Sequence, residues 1–263
     1  MAASFFSTTD GDWFVPNDPA RGPWDPESCH AGPPTGLLAR ALEQLLPGSQ
    51  LVRITVDLGR PVPMAGFRIE ASISQAGRTV QRTTATLVDA DGRERARAAG
   101  LHMVARDVGA IPSVETPMPS LADAAPGPFV FERTLHGLPA FPSGVEMRYP
   151  PGESNTPGPT TAWMRTLPLL PDEEMSPFQR ICPLADCGNA IGRNADPDVV
   201  GFVNPDLTLV LHRAPVGEWL GSSSVSYWEP TGIGFADALL FDDEGVVGRA
   251  CQTVLLTPAE RSD

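Results

Sequence analysis

Residues 204–256 read NPDLTLVLHRAPVGEWLGSSSVSYWEPTGIGFADALLFDDEGVVGRACQTVLL, and they align without a gap to residues 51–103, LVRITVDLGRPVPMAGFRIEASISQAGRTVQRTTATLVDADGRERARAAGLHM. Seven aligned positions are identical, whereas average composition would give about three by chance. Both segments open with an alternating strand that ends at an arginine, and both later place acidic residues before a turn glycine, Gly92 or Gly245. This shared pattern predicts two copies of one strand-rich unit.

One helix is predicted upstream of each copy. In the first half, residues 33–46 carry leucines at helical spacing behind two prolines. Proline suits a helix start because its missing N–H would have no partner there. In the second half, residues 183–191 also begin at a proline. The sequence therefore predicts an α+β fold in which two fused units of antiparallel sheet each wrap around a central helix.

Composition divides the chain into four segments. Residues 1–103 are assigned to the N-terminal unit and residues 141–257 to the C-terminal unit, which leaves residues 258–263 as a tail. Residues 104–140 are rich in proline and alanine and are predicted to link the two units. A second loose stretch, residues 150–159, is expected to join two strands of the C-terminal unit.

The charge balance argues against nucleic acid as a partner. The chain carries 32 acidic residues and 19 basic residues, for a net charge of −13, and every basic residue is an arginine. Binding to a phosphate backbone requires a basic face. No apolar run is long enough to span a membrane. Residues 1–14 lack the basic start and the apolar core of a secretory signal. A cytoplasmic protein is therefore expected.

The cysteines and histidines give no sign of a metal site. Cys29, Cys182, Cys187 and Cys251 lack the C-x-x-C spacing of zinc sites, and the four histidines do not cluster near them. The thiols are interpreted as packing residues, and no metal or other cofactor is expected.

Several stretches of the second half form a recognisable set of motifs: VEMR at 145–148, AWMR at 162–165, HRAP at 212–215, EWL at 218–220 and GVVGRACQ at 245–252. They resemble those of the type II acyl-CoA thioesterases and their thioesterase-like relatives. In the first half, His30-Ala31-Gly32 and Arg60-Pro61 match more loosely. The resemblance implies a double hotdog fold, a homodimer, and hydrolysis of an acyl-CoA to free acid and coenzyme A.

The resemblance also implies a catalytic set in the second unit. In the family, an aspartate, a hydroxyl residue and a glutamine activate the water that attacks the thioester. Asp186 and Gln252 match two of these positions. The third falls on Asn204 instead of a threonine or serine, and Thr208 is the alternative hydroxyl.

The internal alignment adds an asymmetry between the copies. Each polar candidate of the second copy faces a residue without a polar side chain in the first: Asp186 faces Pro33, Asn204 faces Leu51 and Gln252 faces Ala99. One active site per fused pair would produce this pattern.

Residues expected to bind substrate include Gly32 and His30, which precede the first helix. Backbone N–H groups at a helix start can stabilise an oxyanion, and glycine permits close approach. Trp163 is a candidate for the acyl pocket or the core. Arg213 is a candidate for substrate binding, but its position, shared with Arg60, favours a structural ion pair over a phosphate contact.

The same residues also have interpretations that involve no catalysis. In the predicted 183–191 helix, Asp186 would be a first-turn acid stabilised by the helix dipole, and Gln252 would be an ordinary strand residue. A hotdog dehydratase would need a histidine a few residues from Asp186, and none lies between His136 and His212. The other alternative is a non-catalytic acyl-thioester-binding hotdog protein, which Asn204 in place of a hydroxyl keeps open. A serine nucleophile is disfavoured because no G-x-S-x-G elbow is present.

Overall fold

The two copies lie side by side in one antiparallel sheet. A computed structural model describes residues 3–9, 11–130 and 137–258. The first unit contains β1 (Phe6–Thr9), β2 (Trp13–Pro16), α1 (Gly32–Leu45), β3 (Gln50–Asp57), β4 (Arg68–Gln75), β5 (Val80–Val88) and β6 (Glu94–Met103). Strands β1 and β2 form a separate hairpin. The predicted first helix and the alternating strand after it are confirmed.

The described residues after 103 form the second unit. It contains β7 (Ala125–Gly127), β8 (Val145–Tyr149), β9 (Thr160–Thr166), α2 (Pro177–Ala185), α3 (Gly188–Ile191), β10 (Val200–Val203), β11 (Asp206–Leu211), β12 (Leu220–Trp228), β13 (Ile233–Asp242) and β14 (Gly245–Pro258). Short 3-10 turns lie at Asp18–Ala20, Leu121–Asp123 and Phe141–Gly144. The loop over residues 150–159 joins β8 to β9, as predicted.

Within the described residues, twelve strands form the main sheet, in the order β4-β5-β6-β3-β11-β14-β13-β12-β9-β8-β7, with β10 also pairing with β14. The β3–β11 ladder joins the two units. In it Thr55 pairs directly with Thr208, its own counterpart in the alignment, and their hydroxyls lie 3.2 Å apart. A pseudo-twofold axis therefore passes through this pair, which confirms the fused arrangement expected for a double hotdog.

Helices α1 and α2 pack antiparallel on the sheet. Glu43, near the end of α1, accepts hydrogen bonds from Ser176, the residue that caps the start of α2. At the opposite end, Gly32 begins α1 beside the end of α2, and a Cβ there would lie 2.8 Å from the Cα of Pro183. Leucines on one side of α1, among them Leu38 and Leu42, are fully buried in the core between helix and sheet.

The second helix differs from its prediction. The helix was expected to begin at residue 183, but α2 begins at Pro177, directly after the capping Ser176. Residue 183 is therefore already in the last turn of α2. Pro183 lies inside α2, where it has no N–H to donate to residue 179, and the helix ends two residues later at Ala185. Asp186 is the C-cap of α2, and the prediction of a first-turn acid paired with Pro33 is therefore wrong.

The internal alignment also needs one correction, at the last hairpin. In the first unit Thr83 pairs with Gly100, whereas its counterpart Ala236 pairs with Gln252. The β13–β14 turn is thus one residue shorter than the β5–β6 turn, and Gln252 occupies the position of Gly100 instead of Ala99. Neither Gly100 nor Ala99 has a polar side chain, so the asymmetry between the copies persists.

The segment assigned as a linker contributes to the second unit. Strand β7 lies within residues 104–140 and pairs with β8 at the edge of the sheet. Of the assigned tail, Pro258 ends β14, and residues 259–263 lie outside the described residues. No helix in the described parts of the chain is long and apolar enough to cross a membrane.

A buried ion pair stabilises the β13–β14 turn. The carboxylate of Asp242 is completely buried and accepts two hydrogen bonds from Arg213, at 2.6 and 2.7 Å. It also accepts from the backbone N–H groups of Val216 and Glu244. Burial opposes ionisation, but these hydrogen bonds lower the pKa of the Asp242 carboxyl below its usual value. Arg213 is therefore a structural residue in this fold.

Replacing Asp242 tests this ion pair. Asp242→Ala is expected to lower the free energy of unfolding by about 3–5 kcal/mol, because it leaves a partly buried arginine unpaired. The stabilisation is present above the unfolded-state pKa of about 3.9 and is lost as the pH falls through the lower folded-state pKa. Urea unfolding at pH 7 and at pH 3 measures both effects. Glu244→Ala, at an exposed position of the same turn, is the control, and equal small losses in both variants would contradict the interpretation.

Candidate active site

A cavity of about 400 Å³ opens at the seam between the two units. Residues 22–31 and 58–62 of the first unit form one wall, and residues 189–190 and 202–205 of the second unit form the other. Trp24, Val62 and Phe202 make much of this lining apolar. Asp186 lies at the cavity, with 3% of its side chain exposed.

Two amides hold the Asp186 carboxylate. Asn204 donates from Nδ2 to Oδ1 at 2.8 Å. Gln252 donates from Nε2 to the backbone oxygen of Asp186 at 2.9 Å and lies 3.4 Å from Oδ1. The structure thus brings together all three residues that the resemblance placed in the catalytic set. Asn204 fills the hydroxyl position and makes a direct hydrogen bond to the carboxylate.

Gln252 is itself fixed by helix α3. Its Oε1 accepts the backbone N–H of Asn189 at 2.9 Å, and Asn189 donates from its side chain to Asn204 at 3.2 Å. A Cβ on Gly188 would lie 3.1 Å from the Gln252 oxygen, so glycine lets the amide approach the start of α3. The four polar side chains therefore form one connected network at the break between α2 and α3.

His30 joins this network from the first unit. Its Nδ1 lies 3.1 Å from Oδ2 of Asp186 and also 3.1 Å from the backbone nitrogen of Gly32. The ring stacks on Phe141 with 3.9 Å between centroids. Burial lowers the pKa of His30, and the nearby Asp186 carboxylate opposes that shift. A neutral ring then serves one partner through Nδ1, either donating to Asp186 or accepting from Gly32.

Sequence reasoning missed the contact between His30 and Asp186. The sequence has no histidine near Asp186 along the chain, so no aspartate–histidine pair was expected. The structure instead supplies one across the seam, 156 positions earlier in the sequence. The H-A-G motif before α1 was the available signal, since it matched the family and preceded a helix.

Three other candidates lie away from the cavity. Thr208 bonds to Thr55 at the pseudo-twofold axis. Trp163 is fully buried against Phe241 in a separate cluster on the far part of the sheet. Arg213 is bound to Asp242. Trp163 is therefore a core residue and Arg213 a member of a structural ion pair, as the non-functional interpretations of the sequence described them.

The thiols and the metal-ligating side chains offer no further chemistry at this site. Cys187 adjoins Asp186, and burial, with a smaller effect of that carboxylate, raises the pKa of its thiol well above the usual value. A thiolate nucleophile is disfavoured at such a position. Within the described ranges, no three His, Cys, Asp or Glu side chains are grouped to hold a metal ion.

Comparison with protein families gives two matches that together span most of the chain. Residues 20–103 match a family model described as the acyl-CoA thioesterase N-terminal domain. Residues 116–256 match the model of the acyl-CoA thioesterase C-terminal domain. No functionally curated protein matches the chain.

Solved structures share the whole fold at low sequence identity. A candidate thioesterase from Novosphingobium aromaticivorans superimposes with a TM-score of 0.75 at 19% identity, covering 97% of this chain and 100% of that one. A hotdog-fold protein from Alicyclobacillus acidocaldarius gives 0.72 at 17% identity, with 95% of each chain covered. The acyl-CoA thioesterase II of Mycobacterium marinum gives 0.65 at 14% identity, covering 98% and 96%. The double hotdog fold is thus confirmed.

The contact between His30 and Asp186 can be tested through the pKa of His30. We expect His30 to titrate below 6.5, and we expect Asp186→Asn to lower its pKa further, because the variant removes the carboxylate that favours the charged ring. Imidazole C–H resonances followed by NMR against pH measure this change. His102, whose pKa burial also lowers, is the internal control and should not shift. An unchanged or higher pKa of His30 in the variant would contradict the interaction.

Proposed function

Because this chain belongs to the acyl-CoA thioesterase family, we propose that it hydrolyses an acyl-CoA to the free acid and coenzyme A. The observation that carries the proposal is the Asp186 carboxylate, held by Asn204 and Gln252 at the edge of an apolar cavity. A general base needs this combination of fixed orientation and access to a substrate pocket.

The cavity suits an acyl group. Trp24 packs edge-to-face against Phe202 with ring centroids 5.9 Å apart, and both line the cavity beside Val62. An apolar acyl chain gains free energy by leaving water for such a surface. The thioester carbonyl would then lie near Asp186, with the coenzyme leaving through the open mouth.

In the proposed reaction, a water molecule is the nucleophile and Asp186 is the general base. Oδ1 is contacted by both amides, whereas Oδ2 contacts His30 alone among the described side chains. Oδ2 therefore keeps a free lone-pair direction, and the water can donate to it there. As the water oxygen bonds to the carbonyl carbon, its proton passes to Asp186 and the carbonyl oxygen becomes an oxyanion. The C–S bond then breaks, and the proton moves from Asp186 to the departing thiolate.

His30 and Gly32 are proposed to assist at the oxyanion. When Nδ1 of His30 donates to Asp186, it no longer accepts from Gly32. The Gly32 N–H is then available to the developing oxyanion, and such a donor is worth about 10²–10³-fold in rate in well-studied enzymes. Asn204 needs no hydroxyl for its proposed role, because its N–H already orients the carboxylate that activates the water.

We expect Asp186→Asn to lower kcat for acyl-CoA hydrolysis by about 10²–10⁴-fold, because the variant keeps the shape of the site but removes the base. Gln252→Leu should lower kcat less, since only orientation is lost. Thiol release from short, long and aromatic acyl-CoA thioesters measures both. Asp198→Asn, an exposed acid with the same charge change, is the matched control and should retain wild-type rates.

Other outcomes of the same assay would change the assignment. Bound acyl-CoA without turnover in the wild type would support the non-catalytic binding protein. Consumption of an enoyl-CoA without thiol release would support a hydratase, which His30 beside Asp186 keeps open. Full turnover in Asp186→Asn would contradict the proposed base.

We further propose a cytoplasmic homodimer. The cysteines are free thiols, as in reducing compartments. An exposed apolar patch crosses four neighbouring strands of the second unit, formed by Val203, Tyr227, Ile233, Phe235 and Leu255. Val203 and Leu255 also line the cavity, so the patch adjoins it. Contiguous exposed apolar surface favours association, and an isologous contact would bury it on both copies.

A charge in this patch tests the dimer. We expect Ile233→Glu to shift the protein to a monomer in analytical ultracentrifugation, because the glutamate would be buried against a second copy. Ile111→Glu, at an equally exposed residue outside the patch, should leave the sedimentation coefficient unchanged. A monomeric wild type, or a dimer that persists in Ile233→Glu, would contradict the assignment.

A further inference from the structure

The two copies use their shared strand-end arginine differently. In the second unit, Arg213 binds the buried Asp242. The alignment places Arg60 and Asp89 at the corresponding positions of the first unit. The symmetry of the two units therefore predicts that Arg60 pairs with Asp89.

The structure contradicts that expectation. Asp89 is paired instead with Arg95, from the next strand, at 2.6 Å. With the shorter hairpin taken into account, the counterpart of Arg95 in the second unit is Val247, which is buried in the core. In the first unit Arg95 thus makes the ion pair with the turn aspartate, and Arg60 is not needed for it.

Arg60 lies at the mouth of the catalytic cavity. Its side chain is exposed, and it is the one arginine among the described residues that line the cavity. Its backbone N–H donates to the backbone oxygen of Arg95, and this hydrogen bond fixes the position of the chain there. Across the described part of the chain, no carboxylate forms an ion pair with Arg60, whereas ten other arginines do form such pairs. Asp25 is an exposed carboxylate that also lines the cavity, and it accepts hydrogen bonds from the Ser28 hydroxyl and from the backbone N–H of Glu27.

We propose that Arg60 binds the phosphates of the pantetheine-bearing leaving group, the coenzyme A of the substrate. This inference rests on the proposed function. If the acyl group fills the apolar cavity and the thioester lies near Asp186, the pantetheine arm leaves through the mouth and carries its phosphates into solvent there. A guanidinium binds phosphate oxygens through two parallel hydrogen bonds. In a chain of net charge −13, such a local cation offsets the repulsion of an anionic substrate.

The test compares substrates with and without phosphates. Arg60→Ala is expected to raise KM for an acyl-CoA about tenfold, because the phosphates lose a charge-assisted contact at an exposed position, with kcat within about twofold. The N-acetylcysteamine thioester of the same acid, which lacks phosphates, should show no change in KM. Arg78→Ala, an exposed arginine outside the cavity, is the matched control. Arg60→Lys should give an intermediate KM.

Binding of free ligands separates this inference from the proposed function. Calorimetry should show that Arg60→Ala weakens coenzyme A about tenfold, whether or not the wild type hydrolyses any thioester. Dephospho-coenzyme A and 4′-phosphopantetheine identify the phosphate in contact, and an effect retained with phosphopantetheine would also admit a carrier-protein substrate. Equal changes of KM for both thioesters, or unchanged coenzyme A binding in Arg60→Ala, would overturn the inference.

Discussion

The ladder between β3 and β11 is the constraint on which the rest of the structure depends. It pairs Thr55 with its own counterpart Thr208 and makes the sheets of two units continuous. Immediately beyond the ladder, the backbone N–H of Leu58 bonds to the oxygen of Pro205. The loops of the first unit are thereby held against β10 and α3 of the second. The cavity exists only at this seam, and residues from both units complete the site.

Duplication with later divergence explains how one site arises from two similar units. The second unit has a helix interrupted at Asp186, an asparagine where the first has Leu51, and a glutamine where the first has Gly100. The first unit supplies the opposite wall, with His30 and Gly32. A symmetric pair of sites would need every group twice, and each unit of this chain lacks groups that the other provides. In the same way, Arg60 does not make the ion pair that its counterpart Arg213 makes.

Local patterns predicted the fold better than the site. Strand alternation, turn glycines and the prolines in the first turn of α1 depend on neighbouring residues, so the sequence alone placed most elements correctly. The interruption of α2 could not be predicted, because Pro183 can begin a helix or end one, and the capping Ser176 and the packing of α1 decide between them. The contacts of His30 and Arg95 depend on chain segments that meet only in the folded sheet. Asp186, Asn204 and Gln252 were found through family resemblance, since none of them is distinctive by itself.

The central claim is that Asp186 activates a water molecule and does not attack the thioester itself. A single turnover in H₂¹⁸O, with enzyme in excess over acyl-CoA, tests it most directly. Direct attack by water predicts one ¹⁸O atom in the acid released in the first turnover, and an unlabelled Asp186. A covalent acyl intermediate on the carboxylate that water opens at the Asp186 carbonyl would give unlabelled acid in that turnover and ¹⁸O in the peptide containing Asp186. Mass spectrometry distinguishes the two results, and the second would contradict the role of Asp186 as a general base.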